Sequence, residues 1–410
     1  MSDIIKTIVE NDSLSVEQKV DQLSAALGTQ PDLGAAKVIK TLLATRDALV
    51  ADYGANYLAL LSGFASEKKA IVERFLEMDE EFIGAATNLV EFLPPELIDR
   101  IIGLYLANPS DATPLYSVIY QTAVYFPERM RAYSERIDDP ALRLSMLAGG
   151  PDDWVRDLAA KYRKDRKPGW LESMGRFHTL RAARTLFELG EDVPQEDRYA
   201  WSGALEIAGL MPDGSTASVY APALRGFVRR RGEFPHAMGG IVPGEAPLCP
   251  KCSTPADRVL TLRSASLPFH PGGALDPSFY WFGCACSTLS AILLQMVPGG
   301  VKVLVGSKGK EGSGRNIVPG ELSLQLELHP AQAGFGIESA AGFGRHQVGG
   351  FPPFLNLDAF PICPLCQKIM RFLASIDSGM TPFGRMRFNG VLFGFWCSDC
   401  QTTTTVHQPQ

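Results

Sequence analysis

Eight cysteines occur in this 410-residue chain, and they fall in four close pairs. The pairs are Cys249-Pro250-Lys251-Cys252, Cys284-Ala285-Cys286, Cys363-Pro364-Leu365-Cys366 and Cys397-Ser398-Asp399-Cys400. Such knuckles can do two kinds of chemistry. Two of them brought together offer four soft ligands in the tetrahedron that zinc takes, with no open position for water, so the ion is structural. Alternatively, a Cys-x-x-Cys at a strand-to-helix turn of a βαβ unit is a dithiol redox pair, and no βαβ pattern surrounds these pairs. A third reading leaves the cysteines metal-free, packed as small hydrophobes.

The pairs belong to a pattern that occurs twice. The first copy opens His236-Ala237-Met238-Gly239-Gly240, reaches Cys249 and Cys252, and closes Phe279-Tyr280-Trp281-Phe282-Gly283-Cys284-Ala285-Cys286. The second opens His346-Gln347-Val348-Gly349-Gly350, reaches Cys363 and Cys366, and closes Phe393-Gly394-Phe395-Trp396-Cys397-Ser398-Asp399-Cys400. The inner gaps nearly match, with 31 residues between Cys252 and Cys284 and 30 between Cys366 and Cys397. Two structural zinc ions are therefore expected, one on Cys249, Cys252, Cys284 and Cys286, the other on Cys363, Cys366, Cys397 and Cys400. The first site is the less regular because its closing pair is Cys-x-Cys. His236 and His346 stand at matching positions and could be ligands. Four thiolates already suffice, so each imidazole is expected to bond backbone near its Gly-Gly turn.

The elements that must position these residues differ between the two halves. Residues 1–230 read as helices. Ser15-Val16-Glu17-Gln18 fits a capping box, Val20, Leu23 and Leu27 continue a helical stripe, and Gly28 marks a stop. Helices follow at Ser66–Met78, Glu80–Leu93, from Pro95, and at Leu115–Tyr125, Pro140–Leu147, Trp154–Tyr162, Leu180–Leu189 and Tyr199–Leu210. Beyond Arg229-Arg230-Arg231 glycine and proline become frequent. Strands are expected at Val259–Leu262, Phe279–Phe282, Ile292–Val297, Val301–Val305, Leu322–Leu328 and Val391–Trp396. The fold class is thus α+β: an N-terminal all-α, solenoid-like domain over 1–230, then a duplicated zinc-binding β-rich domain. Its first module spans 233–300, a β/Gly-rich connection spans 301–345, and the second module spans 346–410.

Composition narrows the function. The chain is 46% hydrophobic and 20% charged, ordinary for a globular protein. No run of about 18 apolar residues occurs, so no membrane span is expected. The start, Met1-Ser2-Asp3-Ile4-Ile5-Lys6-Thr7, has no leader pattern, and the cytoplasm is the expected location. Of the 39 Lys+Arg and 45 Asp+Glu, 27 and 34 precede Glu233. That half carries −7, which argues against nucleic acid as its partner and permits a basic protein. Gly306–Arg315 fails the P-loop pattern because Glu311 follows Lys310, and Gly334-Phe335-Gly336 is a fragment of a dinucleotide fingerprint. Neither His-Glu-x-x-His nor Gly-x-Ser-x-Gly occurs. The basic runs Lys161–Lys167 and Arg229–Arg231 read as solvated surface, or as a contact for an acidic partner. The acidic junction Glu77, Asp79, Glu80 and Glu81 could meet a basic one. No enzyme is expected; a metalloenzyme would need a site with an open position.

The second module resembles the bacterial YwqG-like family and, more distantly, the programmed-cell-death-protein-2-like proteins. The matching residues are Gly349-Gly350-Phe351-Pro352 and Met370-Arg371-Phe372-Leu373-Ala374-Ser375-Ile376-Asp377. The family often carries a glutamine where Ser375 stands. The resemblance is loose over 233–410 and does not reach the helical half. It implies a binding module with a protein partner: a toxin or effector neutralised by an immunity protein, or a ribosomal or secreted client of a chaperone.

Overall fold

The computed structural model describes residues 4–217, 222–240, 246–284, 286, 291–305, 307–309, 317–329, 346–352 and 360–409. The chain folds into two compact units. The first comprises Met1–Met146 with Gly379–Arg385, the second Leu147–Ser378 with Met386–Gln410. The structure thus divides the chain at Met146, well inside the stretch 1–230 that reads as one helical domain. Fourteen α-helices among the described residues fill the N-terminal half, and antiparallel strands fill the C-terminal half.

In the first unit, helices Pro31–Leu42, Pro95–Ala107, Pro114–Tyr125, Pro127–Arg131 and Pro140–Ser145 each begin on proline. The missing N–H costs nothing there, and the ring pre-sets the helical φ. The capping box forms at Val16–Gly28: Gln18 N donates to Ser15 Oγ, and Ser15 N donates to Gln18 Oε1 at 2.8 Å. Leu23, Val38, Leu42, Leu58, Ile71, Phe75, Ile98 and Ile102 recur at helical spacing and are buried. Glu80–Leu93 is not one helix. An α-helix, Glu80–Ala86, tightens into a 3₁₀ turn, Thr87–Phe92, ahead of Pro94-Pro95. That turn brings the Phe92 ring to 3.3 Å from the ammonium of buried Lys68, which also donates to the Leu61 carbonyl at 2.6 Å.

Four helices of the second unit, Asp152–Asp165, Gly169–Gly175, Leu180–Leu189 and Arg198–Ile207, share a core of Tyr162, Leu171, Met174, Phe177, Leu186 and Leu205. The strands follow in chain order. They are β1 Leu224–Arg230, β2 His236–Met238, β3 Ala246–Leu248, β4 Asp257–Thr261, β5 Ser278–Trp281, β6 Ala291–Val297 and β7 Gly300–Val305. Next come β8 Ser307–Gly309, β9 Leu322–Leu328, β10 His346–Val348 and β11 Arg371–Asp377. The last are β12 Met380–Thr381, β13 Gly384–Arg385, β14 Val391–Cys397 and β15 Thr402–Gln408. Hairpin β12–β13 belongs to the first unit, where Arg385 pairs with Glu17 at 3.0 Å.

Eleven strands form one curled antiparallel sheet in the order β5-β4-β2-β9-β1-β10-β11-β14-β15-β6-β7. The duplication is visible in its register. β2 pairs with β4 through Ala237–Thr261 and Met238–Leu260, and β10 pairs with β11 through Gln347–Ser375 and Val348–Ala374. A bulge breaks β4–β5 between Arg258 and Leu260, and another breaks β11–β14 at the matching place, between Phe372 and Ala374. The leading strands are exchanged. β1 precedes the first copy but pairs with β10 of the second, and β9 precedes the second but pairs with β2 of the first. β1 and β9 pair with each other at the centre, Phe227 opposite Gln325. Each copy therefore depends on a strand that belongs to the other by sequence. The stretch 301–345, read as a connection, supplies β9; the stretch ending at 230, read as helical, supplies β1.

Strand β1 accommodates its arginines because the partner strand answers them. Arg225 pairs with Glu327 at 3.2 Å, and Arg229 Nε donates to Gln325 Oε1 at 2.7 Å. No helix among the described residues is long and apolar enough to cross a membrane.

Candidate metal centres

Each copy brings its four sulfurs together. Cys249, Cys252, Cys284 and Cys286 form one cluster; Cys363, Cys366, Cys397 and Cys400 form the other. Within each, the sulfur atoms all lie within 4.8 Å of one another. The two clusters take in all eight cysteines named from the sequence, and all eight are free thiols. Cys366 Sγ and Cys397 Sγ are 3.6 Å apart. A disulfide would need about 2.05 Å. Four sulfurs about 2.3 Å from a central zinc would be about 3.8 Å from each other. The spacing fits a tetrahedral ion and not a covalent bridge, and the donor set is the soft one that zinc selects.

The knuckles are built identically. Ser253 N donates to the Cys249 carbonyl at 2.8 Å, and Cys249 N to the Thr254 carbonyl at 2.9 Å. In the second copy Gln367 N donates to the Cys363 carbonyl at 2.9 Å, and Cys363 N to the Lys368 carbonyl at 2.8 Å. The chain reverses through a left-handed residue directly after the second cysteine, Ser253 at φ +56° and Gln367 at φ +60°. Gln401, after Cys400, does the same at φ +52°. Glycine would be the usual occupant, so these turns leave no compositional mark in the sequence. Outside each knuckle the flanking residues pair again: Ala256 N donates to Pro247, Met370 N to Pro361. Strands β4–β5 and β11–β14 then carry the closing cysteines back to the knuckles.

Crowding sets the thiols against one another. The hydroxyl and backbone N–H of Thr254 hold Cys252 down to about 6, with its Sγ 3.1 Å from Thr254 Oγ1. Burial pushes Cys284 up to about 12, and Cys286 is raised first by its hydrogen bond with Cys252 and then by burial. In the second cluster burial pushes Cys363 up, but the N–H groups of Cys366 and Leu365 and the adjacent sulfurs outweigh it, for a net lowering. Burial raises Cys397, and it carries Cys400 up to about 11. A divalent cation bound among the four sulfurs of a cluster would deprotonate them and cross-link the strands.

Neither histidine joins a cluster. His236 Nδ1 accepts from Arg263 N at 3.0 Å, and His346 Nδ1 accepts from Asp377 N at 3.3 Å. The imidazoles do bond backbone, but at the ends of the β4 and β11 segments and not at the Gly-Gly turns. Burial lowers both, His346 to about 4, and fixes them as neutral rings. Lys368 and Asp399, which no motif marks, form an ion pair at 2.8 Å from one knuckle of the second centre to the other.

Other sequence candidates stay apart from the centres. Lys161 lies over Trp170, Arg163 pairs with Asp192 at 3.6 Å, Lys167 with Asp165 at 3.5 Å, and Glu77 with Arg100 at 3.2 Å. These are surface pairs. Ser307–Gly309 is strand β8, paired with β3; the remainder of the Gly306–Arg315 loop, apart from these three residues, and Gly334–Gly336 lie outside the described residues.

The fold and the two clusters define a class: an α+β protein whose β half is an internally duplicated sheet carrying two closed four-cysteine centres. A curated Salmonella typhimurium protein, described only as uncharacterized protein YpfL, is 26% identical over 243 residues. The match takes in 52% of this chain and 53% of that protein, so the chain spans about half the length of the curated relative it matches. No protein-family model and no solved structure matches the sequence.

Proposed function

We propose that this chain is a non-enzymatic protein-binding protein held together by two structural zinc ions, and that its partner is a toxin or effector that it neutralises by direct binding. One observation carries the reading: both clusters bring four thiol sulfurs within 4.8 Å of one another. A zinc ion so held has no position left for water or substrate, so it acts as a cross-link and not as a Lewis acid. In small metal-bound modules such a cross-link contributes on the order of 10 kcal/mol to folding. Here it would fasten the cysteine knuckles to the ends of the strands that carry the closing pairs. Free thiols in all four pairs suit a reducing compartment, and we place the protein in the cytoplasm. The resemblance of the second module to YwqG-like proteins, with its Gly349-Gly350-Phe351-Pro352 turn, supports a protein partner; a chaperone for a ribosomal or secreted client is the second reading that it allows.

The test is co-purification from the native host with mass spectrometry of what is retained, followed by deletion of the gene. A single toxin-like partner and loss of protection on deletion are expected. Cells that stay fully resistant to that partner after deletion would refute the neutralising role.

A further inference from the structure

The two centres are alike in chemistry and unlike in shelter. In the second, Cys363 and Cys397 are buried in an apolar cluster with Phe360, Phe372, Phe393 and Phe395, half-buried Cys366 and Cys400 pack against it, and no sulfur is exposed. The ion pair Lys368–Asp399 spans its knuckles from outside. In the first centre only Cys249 is buried; Cys284 and Cys286 are half-buried and Cys252 is exposed. Thr254 occupies the turn position that Lys368 holds in the second copy, by the same backbone hydrogen bond, and among the described residues that clamp has no counterpart. The closing pair is also one residue shorter than Cys397–Cys400.

Building on the zinc reading above, we infer that the first centre is an oxidant-releasable zinc site and the second a permanent staple. The oxidant class is a peroxide. Susceptibility of thiolates to peroxide follows exposure, and Cys252 is the exposed sulfur of the set. Its thiolate attacks one oxygen of hydrogen peroxide; the O–O bond breaks, a sulfenic acid forms and the other oxygen leaves as water after taking a proton. A second thiolate of the same cluster attacks the sulfenic sulfur. The S–S bond forms, and the remaining oxygen leaves as a second water with another proton. Peroxide gains two electrons and each sulfur loses one. The zinc ion, left with two thiolates, departs as these take up protons. The knuckle Cys249–Cys252 is then no longer tied through metal to the end of the β5 segment, while the second centre keeps its strands fastened.

The experiment uses the full chain, purified under reducing conditions, loaded with two equivalents of zinc and exposed to hydrogen peroxide beside a chromogenic zinc indicator. One equivalent should leave at least ten-fold faster than the other. Peptide mass spectrometry at the end of the fast phase should place a disulfide on Cys252 and a first-centre partner, with Cys363, Cys366, Cys397 and Cys400 still open to alkylation. Cys252→Ser should lose the fast phase; should that variant fold poorly, the wild-type mapping decides alone. Release of both equivalents at one rate, or a first disulfide among Cys363–Cys400, would overturn this inference and leave the zinc reading intact. A folded chain that takes up no zinc at all would overturn both.

Discussion

Gly394 and Phe279 hold matching positions in the two copies, and they meet. A Cβ added at Gly394 would lie 2.6 Å from Phe279 Cε1, 2.8 Å from Cδ1 and 2.9 Å from Cζ. Carbon atoms prefer about 3.5–4.0 Å, so Gly394→Ala must push the ring by roughly 1 Å. The ring has nowhere open to go, because Phe279 is 2% exposed. Overpacking of this kind costs about 1–3 kcal/mol. At about 2–4 °C per kcal/mol for a chain of some size, the melting temperature of the zinc-loaded protein should fall by about 2–12 °C. Circular dichroism of the variant, with Phe279→Leu and the double variant beside it, completes a thermodynamic cycle. Phe279→Leu alone leaves a cavity and destabilises, yet it makes room for the new methyl group. The double variant should therefore be more stable than the sum of the singles by at least about 1 kcal/mol. Additivity within about 0.5 kcal/mol would mean that the positions do not face each other and that the curl bringing β5 over β14 is wrong.

Ligand substitutions should separate the centres: Cys363→Ser and Cys252→Ser should each reduce bound zinc from two equivalents to one, measured by plasma mass spectrometry, and the loss should be the more destabilising at the buried Cys363. Acid sensitivity should follow His346. Burial lowers it to about 4 from an ordinary value near 6.5, so its contribution is full above the unfolded value and is lost as pH falls through that window. The shift corresponds to about 3 kcal/mol at most. His346→Asn keeps an acceptor for Asp377 N without a titrating ring, so denaturant titrations from pH 7 to 4.5 should show a shallower decline in the variant than in the wild type; parallel curves would contradict it.

The cysteine clusters were legible because metal ligation is a spacing rule, and spacing survives in sequence. Helices Leu180–Leu189 and Pro114–Tyr125 were legible for a similar reason: their apolar period is local. Gly28 shows where local reasoning stops. It ends a helix as expected, yet its φ is not positive; its role is to admit the Pro382 carbonyl oxygen, which lies 1.8 Å from where a Cβ would be. Strand β15 escaped the reading because Thr402–Thr405 is polar by composition. In the fold these threonines are buried with hydroxyls engaged: Thr403 donates to the Ser278 carbonyl at 2.9 Å, and Thr405 Oγ1 accepts from Tyr280 N at 3.3 Å. The exchange of β1 and β9 was illegible altogether. Strand order is decided by partners about a hundred residues away, and the arginines of β1 suggest surface until Glu327 and Gln325 are placed opposite them.

Zinc content and zinc-edge X-ray absorption on one sample of the folded full chain bear most directly on the two centres. Two ions per chain, each surrounded by four sulfurs at about 2.3 Å, are the expected result. A folded, monodisperse chain free of metal, or ions with nitrogen or oxygen in the first coordination sphere, would contradict the account.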